Sequence, residues 1–489
     1  MKNRILLIVA LLYLGFLLEP VFSQDTLWTK RYGGQGSQVA LDLNLTDDDG
    51  FILVGRTDSG YPGWDAYVVI VDGQGEPITN NFFGGESNQT LISVCRSENG
   101  FASVGTSNDN AWFVSIGDEG DSLWSKVYGG AEHDAANSIT ATNDGGYIIS
   151  GNTESYGAGD LDWYVIKTDA DGDTQWTRTY GWSGYDRSGS IQQTTDGGYI
   201  VAGYSVLNDI TRACVIKTDA QGNPEWYNFE QGEYTKVFFS AVPTMDGGYI
   251  AAGYTYIWDL YWHDELYMVK YDAVGDKEWE YQYDNPPFYS CNSLDIEQSL
   301  DGGYITVGKT SSMSGNILAY VLKTDSQGEK SWSISFNNTG MDCILRKIER
   351  ISYNEYAAIG SVSYADVWLV KLLEPLVCCG VLMIPDDDPV TVQPGGSFRY
   401  RGIVSNSQTE PLPTDVWTGV IYEGEFFLLH RFPRIEILRP GGVIMRRLIQ
   451  NVPYYAPSGD YQYVSYCGIY PEACDSFKFD FTVTGAPLA

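Results

Sequence analysis

Histidine and basic residues are scarce in this sequence. It contains 3 His and 30 Lys plus Arg against 63 Asp plus Glu, a formal net charge of −33 over 489 residues. The histidines, His133, His263 and His430, are too few and too scattered for a zinc site or a Ser-His-Asp triad. Nucleic-acid binding needs clustered Lys and Arg, which this composition does not supply. We therefore expect no cofactor, no metal and no nucleic-acid partner.

Long apolar runs are also scarce, and the one that exists lies at the N-terminus. Lys2 and Arg4 precede the apolar run Ile5–Leu18, and a small residue, Ser23, follows shortly after. This order is typical of a signal peptide, and the run is shorter than the roughly 20 residues that cross a bilayer. We predict a signal peptide over residues 1–23 and an exported protein, either secreted or at the cell surface or in the periplasm, without a membrane span.

Helical periodicity is weak along the chain, whereas turn-forming and aromatic residues are abundant. The sequence has 54 Gly and 36 Tyr, and 14% of its residues are aromatic. Disordered chains are poor in aromatic residues, and tyrosine favours strands. The composition therefore predicts an all-β protein with many turns.

A short motif recurs along the chain. Four copies read Asp-Gly-Gly-Tyr, and looser copies give the other members of a series of aromatic residues: Phe51, Phe101, Tyr147, Tyr199, Tyr249, Tyr304 and Tyr356. A glycine follows each of them by four positions: Gly55, Gly105, Gly151, Gly203, Gly253, Gly308 and Gly360. The aromatic residues are 46 to 55 residues apart, which is the length of one four-stranded propeller blade.

Each repeat is predicted to form four short strands. The first strand leads into the Asp-Gly-Gly turn, where glycine accepts a positive φ, and the second begins at the aromatic residue. The third ends at a Thr-Asp-x-x-Gly turn, and the fourth carries a tryptophan in most copies: Trp124, Trp176, Trp226, Trp279 and Trp332, with Thr79 in an early copy. We expect these tryptophans to pack between neighbouring blades rather than to bind a ligand.

The two ends of the repeat region complement each other. A lone fourth-strand motif that begins at Trp28 opens the region, and the last repeat, around Tyr356, lacks a fourth strand. If the first strand completes the last blade, the ring closes and no sheet edge is left exposed, whereas an open solenoid would need capping units. We predict a seven-bladed β-propeller over residues 24–375, closed by its N-terminal strand.

The repeats resemble those of exported bacterial propeller-repeat proteins. The resemblance rests on Asp-Gly-Gly-Tyr-Ile units, Tyr-Val-Ile-Lys-Thr-Asp strands and Trp-x-x-x-Tyr-Gly-Gly joints, and it covers roughly Thr26 to Leu372. It implies a propeller, often followed by an Ig-like module. Because the function of those proteins is mostly unassigned, it implies no catalytic residues.

The repeat period ends after residue 375. Residues 376–389, which end in an acidic run before Pro389, are predicted to be a linker. Alternating short strands over residues 390–484 then predict an Ig-like β-sandwich. Within it, Ser458–Tyr463 resembles the late strand of such modules, in which a tyrosine pins the corner.

Eight cysteines in an exported chain allow disulfides. Cys467 and Cys474 flank a short loop between two predicted strands, and we expect them to be paired. Cys291 and Cys343 lie at matching positions of adjacent repeats, and the sequence leaves open whether they are bridged. The cysteines predicted to be buried thiols within strands are Cys95 and Cys214.

The turn between the third and fourth strands invites two functional interpretations. The copy Thr168–Trp176 resembles the Asp-box of sialidase-type propellers. Its Asp-to-Gly and Gly-to-Trp spacings are each one residue longer, so it does not imply a sialidase. It also resembles a calcium loop. Most sister turns lack the middle carboxylate, Asp171, and we therefore favour a plain glycine turn over a metal site.

One face of the predicted propeller carries loops of variable length, namely the joints between blades and the loops after the second strands. Such faces are where repeat folds usually bind. The candidate ligand-binding residues on this face are Asp134, Asp186, Asp342, Trp182, Tyr185, Trp258, Tyr261 and Trp262. Rings beside carboxylates suit sugar stacking or a peptide partner. The alternative is that the aspartates cap turns and the rings pack onto the blades.

With no catalytic constellation in the sequence, we predict a monomeric, exported, non-catalytic binding or structural protein whose propeller face engages a glycan or an extracellular protein. The alternative is a carbohydrate-active enzyme with two carboxylates at the channel mouth, about 5 or 7–9 Å apart. A third hypothesis makes the propeller a spacer that presents the sandwich.

Overall fold

The structure is a computed structural model that describes residues 26–484 with gaps. The residues outside the description are 1–25, 34–35, 59–62, 85–87, 208–209, 259–261, 284–289, 300, 312–314, 337–340, 353–354, 364–365, 374–378, 386–389, 395, 407–411, 423–424, 439–442, 453–455, 470–471 and 485–489. For most strand residues beyond 378 only the backbone is described. The predicted signal peptide lies outside the described residues. The chain divides into two compact units at residues 375/376.

Every regular element of the described residues is a β-strand, and none of these residues forms a helix that could cross a membrane. The first unit contains seven four-stranded antiparallel sheets. Sheet 1 contains β2 (Gln38–Leu45), β3 (Phe51–Thr57), β4 (Asp65–Val71) and β5 (Pro77–Phe83). Sheet 2 contains β6 (Gln89–Ser97), β7 (Gly100–Ser107), β8 (Asn110–Ile116) and β9 (Ser122–Tyr128). Sheet 3 contains β10 (Asp134–Ala141), β11 (Tyr147–Thr153), β12 (Asp162–Thr168) and β13 (Thr174–Tyr180).

The remaining sheets of the first unit repeat this order. Sheet 4 contains β14 (Asp186–Gln193), β15 (Tyr199–Leu207), β16 (Ile210–Thr218) and β17 (Pro224–Phe229). Sheet 5 contains β18 (Thr235–Pro243), β19 (Tyr249–Trp258), β20 (Trp262–Tyr271) and β21 (Lys277–Tyr283). Sheet 6 contains β22 (Ser290–Gln298), β23 (Tyr304–Ser311), β24 (Ile317–Thr324) and β25 (Lys330–Phe336). Sheet 7 contains β26 (Cys343–Arg350), β27 (Glu355–Val362), β28 (Asp366–Leu373) and β1 (Thr26–Tyr32).

The predicted closure by the N-terminal strand is confirmed. β1 pairs antiparallel with β28, so that Thr29 lies opposite Val370. Each buried apolar cluster of the first unit joins two consecutive sheets, and one cluster joins sheet 7 to sheet 1 through residues such as Ile359 and Leu53. The seven sheets therefore form a closed, propeller-like ring.

The Asp-Gly-Gly motif is a hairpin turn with an ion pair built into it. Gly145 has the predicted positive φ, 83°. Asp144 accepts hydrogen bonds from the Thr142 hydroxyl (2.5 Å) and from Lys167 Nζ (3.0 Å), and Lys167 is almost fully buried. Burial alone would raise the pKa of Asp144, but the hydrogen bonds from Thr142 and Lys167 outweigh it and lower the pKa to about 2. Sheets 4 and 5 repeat the pair with Lys217–Asp196 and Lys270–Asp246.

The fourth strand of one sheet contacts a turn of the next sheet, so the tryptophans pack between neighbouring sheets as expected. In sheet 3, the Trp176 ring lies only 2.8 Å from the position that a Cβ of Gly222 would take, so no side chain fits there. The hydroxyl of Tyr180, at the end of the same strand, donates to the Gly222 carbonyl at 2.6 Å. We call this pair of contacts the latch. Its equivalents are Trp28 and Tyr32 on Gly75, Trp124 and Tyr128 on Gly172, and Trp279 and Tyr283 on Gly328.

One joint replaces the latch tyrosine by a buried glutamate. Glu230 accepts hydrogen bonds from Tyr267 (2.8 Å), Tyr271 (2.5 Å) and Lys277 Nζ (2.5 Å). Tyr271 stands where three other repeats have the threonine of the Thr-Asp-x-x-Gly turn, Thr168, Thr218 and Thr324. The two departures from the repeat therefore compensate each other: the added tyrosine reaches the carboxylate that replaces a tyrosine.

The second unit contains two sheets. The first has the strand order β29 (Cys379–Pro385), β31 (Ser397–Asn406) and β34 (Val443–Asn451). The second has the order β30 (Val390–Val392), β36 (Glu472–Val483), β35 (Gly459–Ile469), β32 (Leu412–Tyr422) and β33 (Glu425–Leu438). Phe398 and Tyr400 of the first sheet pack with Tyr463 and Phe481 of the second. The Tyr461 hydroxyl donates to the Pro457 carbonyl at 2.8 Å, which fixes the turn into β35.

Two segments differ from their sequence-based predictions. Residues 379–385, placed in the linker 376–389, form β29, because the apolar run Val381–Ile384 pairs with β31. The aromatic segment after Tyr256, interpreted as a loop, continues the β19–β20 hairpin, in which Trp258 pairs with Trp262.

The four cysteines whose side chains the structure describes, Cys95, Cys214, Cys291 and Cys343, are not in disulfides. Cys214 is fully buried, as predicted, whereas Cys95 is only partly buried. Cys291 and Cys343 are not joined in a disulfide, and Cys343 Sγ donates to the Met341 carbonyl at 3.3 Å. The side chains of Cys467 and Cys474 lie outside the description, so their pairing stays a prediction.

Candidate functional site

A β-bulge in every first strand shapes the centre of the ring. In sheet 3 the pairing of β10 with β11 shifts register between Ala136 and Ser138, opposite Gly151. A Cβ at Gly151 would lie 1.9 Å from the Ala135 carbonyl oxygen. The same close approach, 1.8 to 2.3 Å, occurs at all seven repeat glycines. The glycine is therefore required by the bulge, because no side chain fits beside the displaced carbonyl.

In six first strands the residue at which pairing resumes after the bulge faces the neighbouring first strand, and in β14 the equivalent residue is Ser190, within the bulge. We call these residues the bulge ring: Asp42, Ser93, Ser138, Ser190, Ser240, Asp295 and Lys347.

Side chains of the bulge ring link consecutive sheets. Asp42 Oδ2 accepts from the Val94 amide at 2.9 Å, and Ser190 Oγ accepts from the Ala241 amide at 2.8 Å. Asp295 accepts from the Ser240 hydroxyl at 2.9 Å. The ring thus fastens the innermost strands to one another by hydrogen bonds around the centre.

The bulge ring borders a cavity of about 990 Å³. Residues of the innermost strands of all seven sheets line it. Its walls include the cross-strand pairs Arg187–Tyr204 and Val237–Tyr254, which join the start of a first strand to the far part of a second strand. The cavity therefore extends to the end of the sheets that carries the joints and the loops after the second strands.

The cavity combines basic and aromatic groups. Arg56 lies with its guanidinium 4.5 Å from the centre of the Trp64 ring, and both residues line the cavity. Burial lowers the pKa of Arg56, which still remains a cation at neutral pH. Phe239 and Tyr254 pack together on another wall, with ring centres 5.9 Å apart. Rings beside hydrogen-bonding cations suit a ligand with flat apolar faces and polar edges.

The three predicted aspartates hold turns at the same end of the sheets. Asp134 is fully buried and accepts from the Gly130 amide at 2.7 Å and the Ser155 hydroxyl at 2.8 Å. Asp186 is also fully buried, and its Oδ2 accepts from the Trp182 amide at 2.6 Å. Burial raises the pKa of Asp186 above its ordinary value.

Asp342 directly precedes β26 of sheet 7, and its Oδ1 accepts from the Ile317 amide at 2.9 Å. None of these three residues is among those that line the cavity. A ligand-binding role for them stays a prediction.

The predicted aromatic residues are more dispersed. Trp182 packs edge-on against Phe229, with ring centres 4.5 Å apart, and Tyr185 is 45% exposed. The side chains of Trp258 and Trp262, and the whole of Tyr261, lie outside the described residues.

The turn that resembled a calcium loop uses its first carboxylate internally. Asp169 Oδ1 accepts from the amides of Asp171 (3.1 Å) and Asp173 (2.8 Å). The turns that begin at Asp219 and Asp325 make the same two bonds. Over the described part of the chain, no three His, Cys, Asp or Glu side chains are grouped as a metal site requires.

Sequence reasoning missed the residues that shape the cavity. A signal for the bulge ring was present, because in six repeats its member lies nine residues before the repeat aromatic, as Ser190 precedes Tyr199. Arg56, Arg187 and Arg346 gave no such signal, because each occurs in one repeat only and at a different place in its strand.

No family model and no curated protein matches the chain. Among solved structures, Sqt1 from Chaetomium thermophilum is 9% identical with a TM-score of 0.41, over 72% of this chain and 99% of that one. A subtype N10 neuraminidase-like protein of A/little yellow-shouldered bat/Guatemala/060/2010 is 8% identical with a TM-score of 0.37, over 72% of this chain and 99% of that one. A 6-phosphogluconolactonase-like protein of Bacteroides fragilis is 14% identical with a TM-score of 0.40, over 65% and 92%.

Proposed function

We propose that the protein is an exported, non-catalytic binding protein in which a seven-bladed β-propeller is followed by an Ig-like β-sandwich. The propeller binds a glycan or an extracellular protein where its central cavity meets the face of the variable loops. The protein is secreted, or held at the cell surface or in the periplasm, as a monomer.

The cavity is the observation that carries this proposal. Its volume of about 990 Å³ lies in the range of ligand sites, and its lining sets the rings of Trp64, Tyr204, Phe239 and Tyr254 among many polar and charged side chains. A glycan is the better fit of the two partners, because a recess lined by Trp64, Tyr204 and Tyr254 offers stacking surfaces for sugar rings.

The carboxylates near the cavity support binding rather than hydrolysis. Glycoside hydrolysis needs two carboxyl groups that face the same bond, one of which gives or takes a proton. Asp42 instead accepts from the amides of Leu43 and Val94. Asp295 accepts from the Ile348 amide at 3.1 Å. Asp134 and Asp186 cap turns.

The experiment is a glycan array probed with protein that lacks residues 1–23, followed by calorimetry and product analysis for every glycan that binds. The proposal predicts binding without any change in the glycan after prolonged incubation. Conversion of a bound glycan, lost on changing Asp186 or Asp134 to Asn, would establish the rival carbohydrate-active enzyme instead.

A further inference from the structure

The charge of the cavity is opposite to that of the molecule. Whereas the chain has a net charge of −33, four basic side chains line the cavity against two carboxylates, Asp42 and Asp295. The basic side chains are Arg56, Arg187, Arg346 and Lys347.

Both carboxylates are already engaged within the bulge ring. Lys347 Nζ lies 3.1 Å from Asp295, which also accepts from the Ile348 amide and the Ser240 hydroxyl. Asp42 accepts hydrogen bonds from the backbone amides of Leu43 and Val94, and burial raises its pKa to about 6. Lys347 compensates Asp295, and neither Arg56 nor Arg187 forms an ion pair with a carboxylate among the residues that the structure describes. These two arginines therefore give the cavity positive charge that is available to a ligand.

Arg56 is the basic side chain whose position and unmet hydrogen bonding suit an anionic ligand best. Its guanidinium stacks on Trp64, and its Nε is buried without a hydrogen-bond partner among the described residues. A buried donor that lacks a partner costs stability, and a bound acceptor would remove that cost. A stacked, planar guanidinium also presents two parallel N–H groups that match a carboxylate or sulfate.

The arginines lie on separate walls. Arg56 belongs to sheet 1, Arg187 to sheet 4 and Arg346 to sheet 7. Arg187 is exposed to the cavity, and within the described part of the chain it forms no ion pair. A ligand held by both Arg56 and Arg187 would bear several anionic groups or one group at the centre, with Trp64, Tyr204 and Tyr254 beside its rings.

We propose that the ligand of the cavity is an anionic glycan, whose carboxylate or sulfate groups bind Arg56 and Arg187. This inference rests on the proposed function and specifies its substrate class. Neutral glycans offer these cations only uncharged hydroxyl and ring oxygens, which bind a guanidinium more weakly than a carboxylate or sulfate does. An acidic peptide lacks the sugar rings that the aromatic walls stack against.

The test compares matched ligands by calorimetry on the full chain without residues 1–23. The probes are oligogalacturonates, their methyl esters, sulfated galactan fragments, neutral galactan fragments and hexaglutamate. We expect either the oligogalacturonates or the sulfated galactan fragments to bind. The class of probe that binds identifies the anionic group as a carboxylate or a sulfate. Removing that group, by esterification or desulfation, is expected to weaken binding at least tenfold.

Protein variants provide the second half of the test. Arg56→Gln and Arg187→Gln are each expected to weaken binding of the anionic probe about tenfold or more. The matched control is Arg178→Gln, because Arg178 also stacks on a tryptophan, Trp176, but on an outer strand. It is expected to leave affinity unchanged.

The outcomes separate the two proposals. Equal binding of the neutral and anionic probes, abolished by blocking the cavity, would overturn the anionic ligand and leave the proposed function standing. If hexaglutamate is the only probe that binds, the ligand is not a glycan. If Arg178→Gln weakens binding of the anionic probe and Arg56→Gln does not, the ligand does not bind in the cavity. The absence of any anionic glycan from the array's binders would also overturn the inference.

Discussion

At the scale of single residues, one glycine per repeat determines the geometry of the centre. Beside Gly151 and its six equivalents, a carbonyl oxygen of the first strand occupies the space of a Cβ. The bulge that pushes this carbonyl outward also turns the next residue toward the neighbouring sheet, where it joins the bulge ring. The seven glycines therefore keep the cavity's floor in register.

Gly151→Ala is expected to destabilise the first unit by roughly 2–4 kcal/mol, because a methyl group must displace the backbone of β10. Chemical denaturation followed by tryptophan fluorescence measures the change.

The control for this variant is Gly145→Asn. Gly145 has a φ of 83° and nothing within 4 Å of its Cβ position, and asparagine tolerates this conformation. We expect it to cost about 1 kcal/mol or less. Equal losses for both variants would contradict the account of the bulge.

The periodic glycines were predictable from the sequence, but their physical cause was not. Spacing indicates that a position is constrained, whereas the 1.9 Å approach at Gly151 arises from a register shift between two strands. The buried Lys167 beside Asp144 was missed for a related reason, since its partner lies in a turn 23 residues earlier.

At the scale of strands, the latch joins one sheet to the next. Trp176 supplies apolar contact and Tyr180 supplies a buried hydrogen bond to the same turn, around Gly222. In the joint where Glu230 replaces the tyrosine, the side-chain amide of Asn228, two residues earlier, donates to the equivalent carbonyl of Gly275 at 2.5 Å. The carbonyl of this turn is thus bound from the preceding sheet by different chemical groups.

Tyr180→Phe is expected to lower the free energy of unfolding by about 1–2 kcal/mol, because the Gly222 carbonyl loses a buried donor. Tyr227→Phe, on the next outer strand, removes a hydroxyl from a ring that is 57% exposed, and the expected change is within about 0.5 kcal/mol. If denaturation curves of the two variants coincide, the latch hydrogen bond does not stabilise the ring.

Two innermost strands carry an acidic pair that makes stability depend on pH. Burial, together with the charge of Glu349, raises the pKa of Glu297, and burial likewise raises that of Glu349 despite Lys347. A raised folded pKa means that stability is complete below the unfolded pKa, about 4.3, and is lost as pH rises through the folded value.

The thermal midpoint is therefore expected to fall as pH rises from about 5 to 8, and Glu297→Gln is expected to flatten that decline. Glu98→Gln, on an exposed turn, is the control and should leave the slope unchanged. Parallel midpoint curves for the wild type and Glu297→Gln would rule out this pair as the source.

Strand positions were largely predictable because turns and aromatic residues mark them. The exceptions lie where a pattern is short or misleading. β29 was hidden in a segment that acidic residues and Pro389 made look like a linker, and the extended β19–β20 hairpin was hidden by its density of aromatic residues.

At the scale of the whole molecule, closure and charge produce the candidate site. Because β1 completes sheet 7, the seven innermost strands surround one cavity, and no repeat alone contains it. The ring, the number of sheets and the face that carries variable loops follow from the repeat. The arginines that line the cavity come from different repeats, so only the folded ring brings them together.

The most direct test of the binding cavity is to fill it. Leu294→Trp replaces an aliphatic side chain of the cavity lining by a larger, aromatic one. Leu123→Trp makes the same change on an outer strand, where the side chain is 50% exposed. The glycan that binds most tightly on the array is titrated into both variants, and circular dichroism checks the fold. The account predicts at least a tenfold loss of affinity for Leu294→Trp only. Wild-type affinity in a folded Leu294→Trp variant would contradict it.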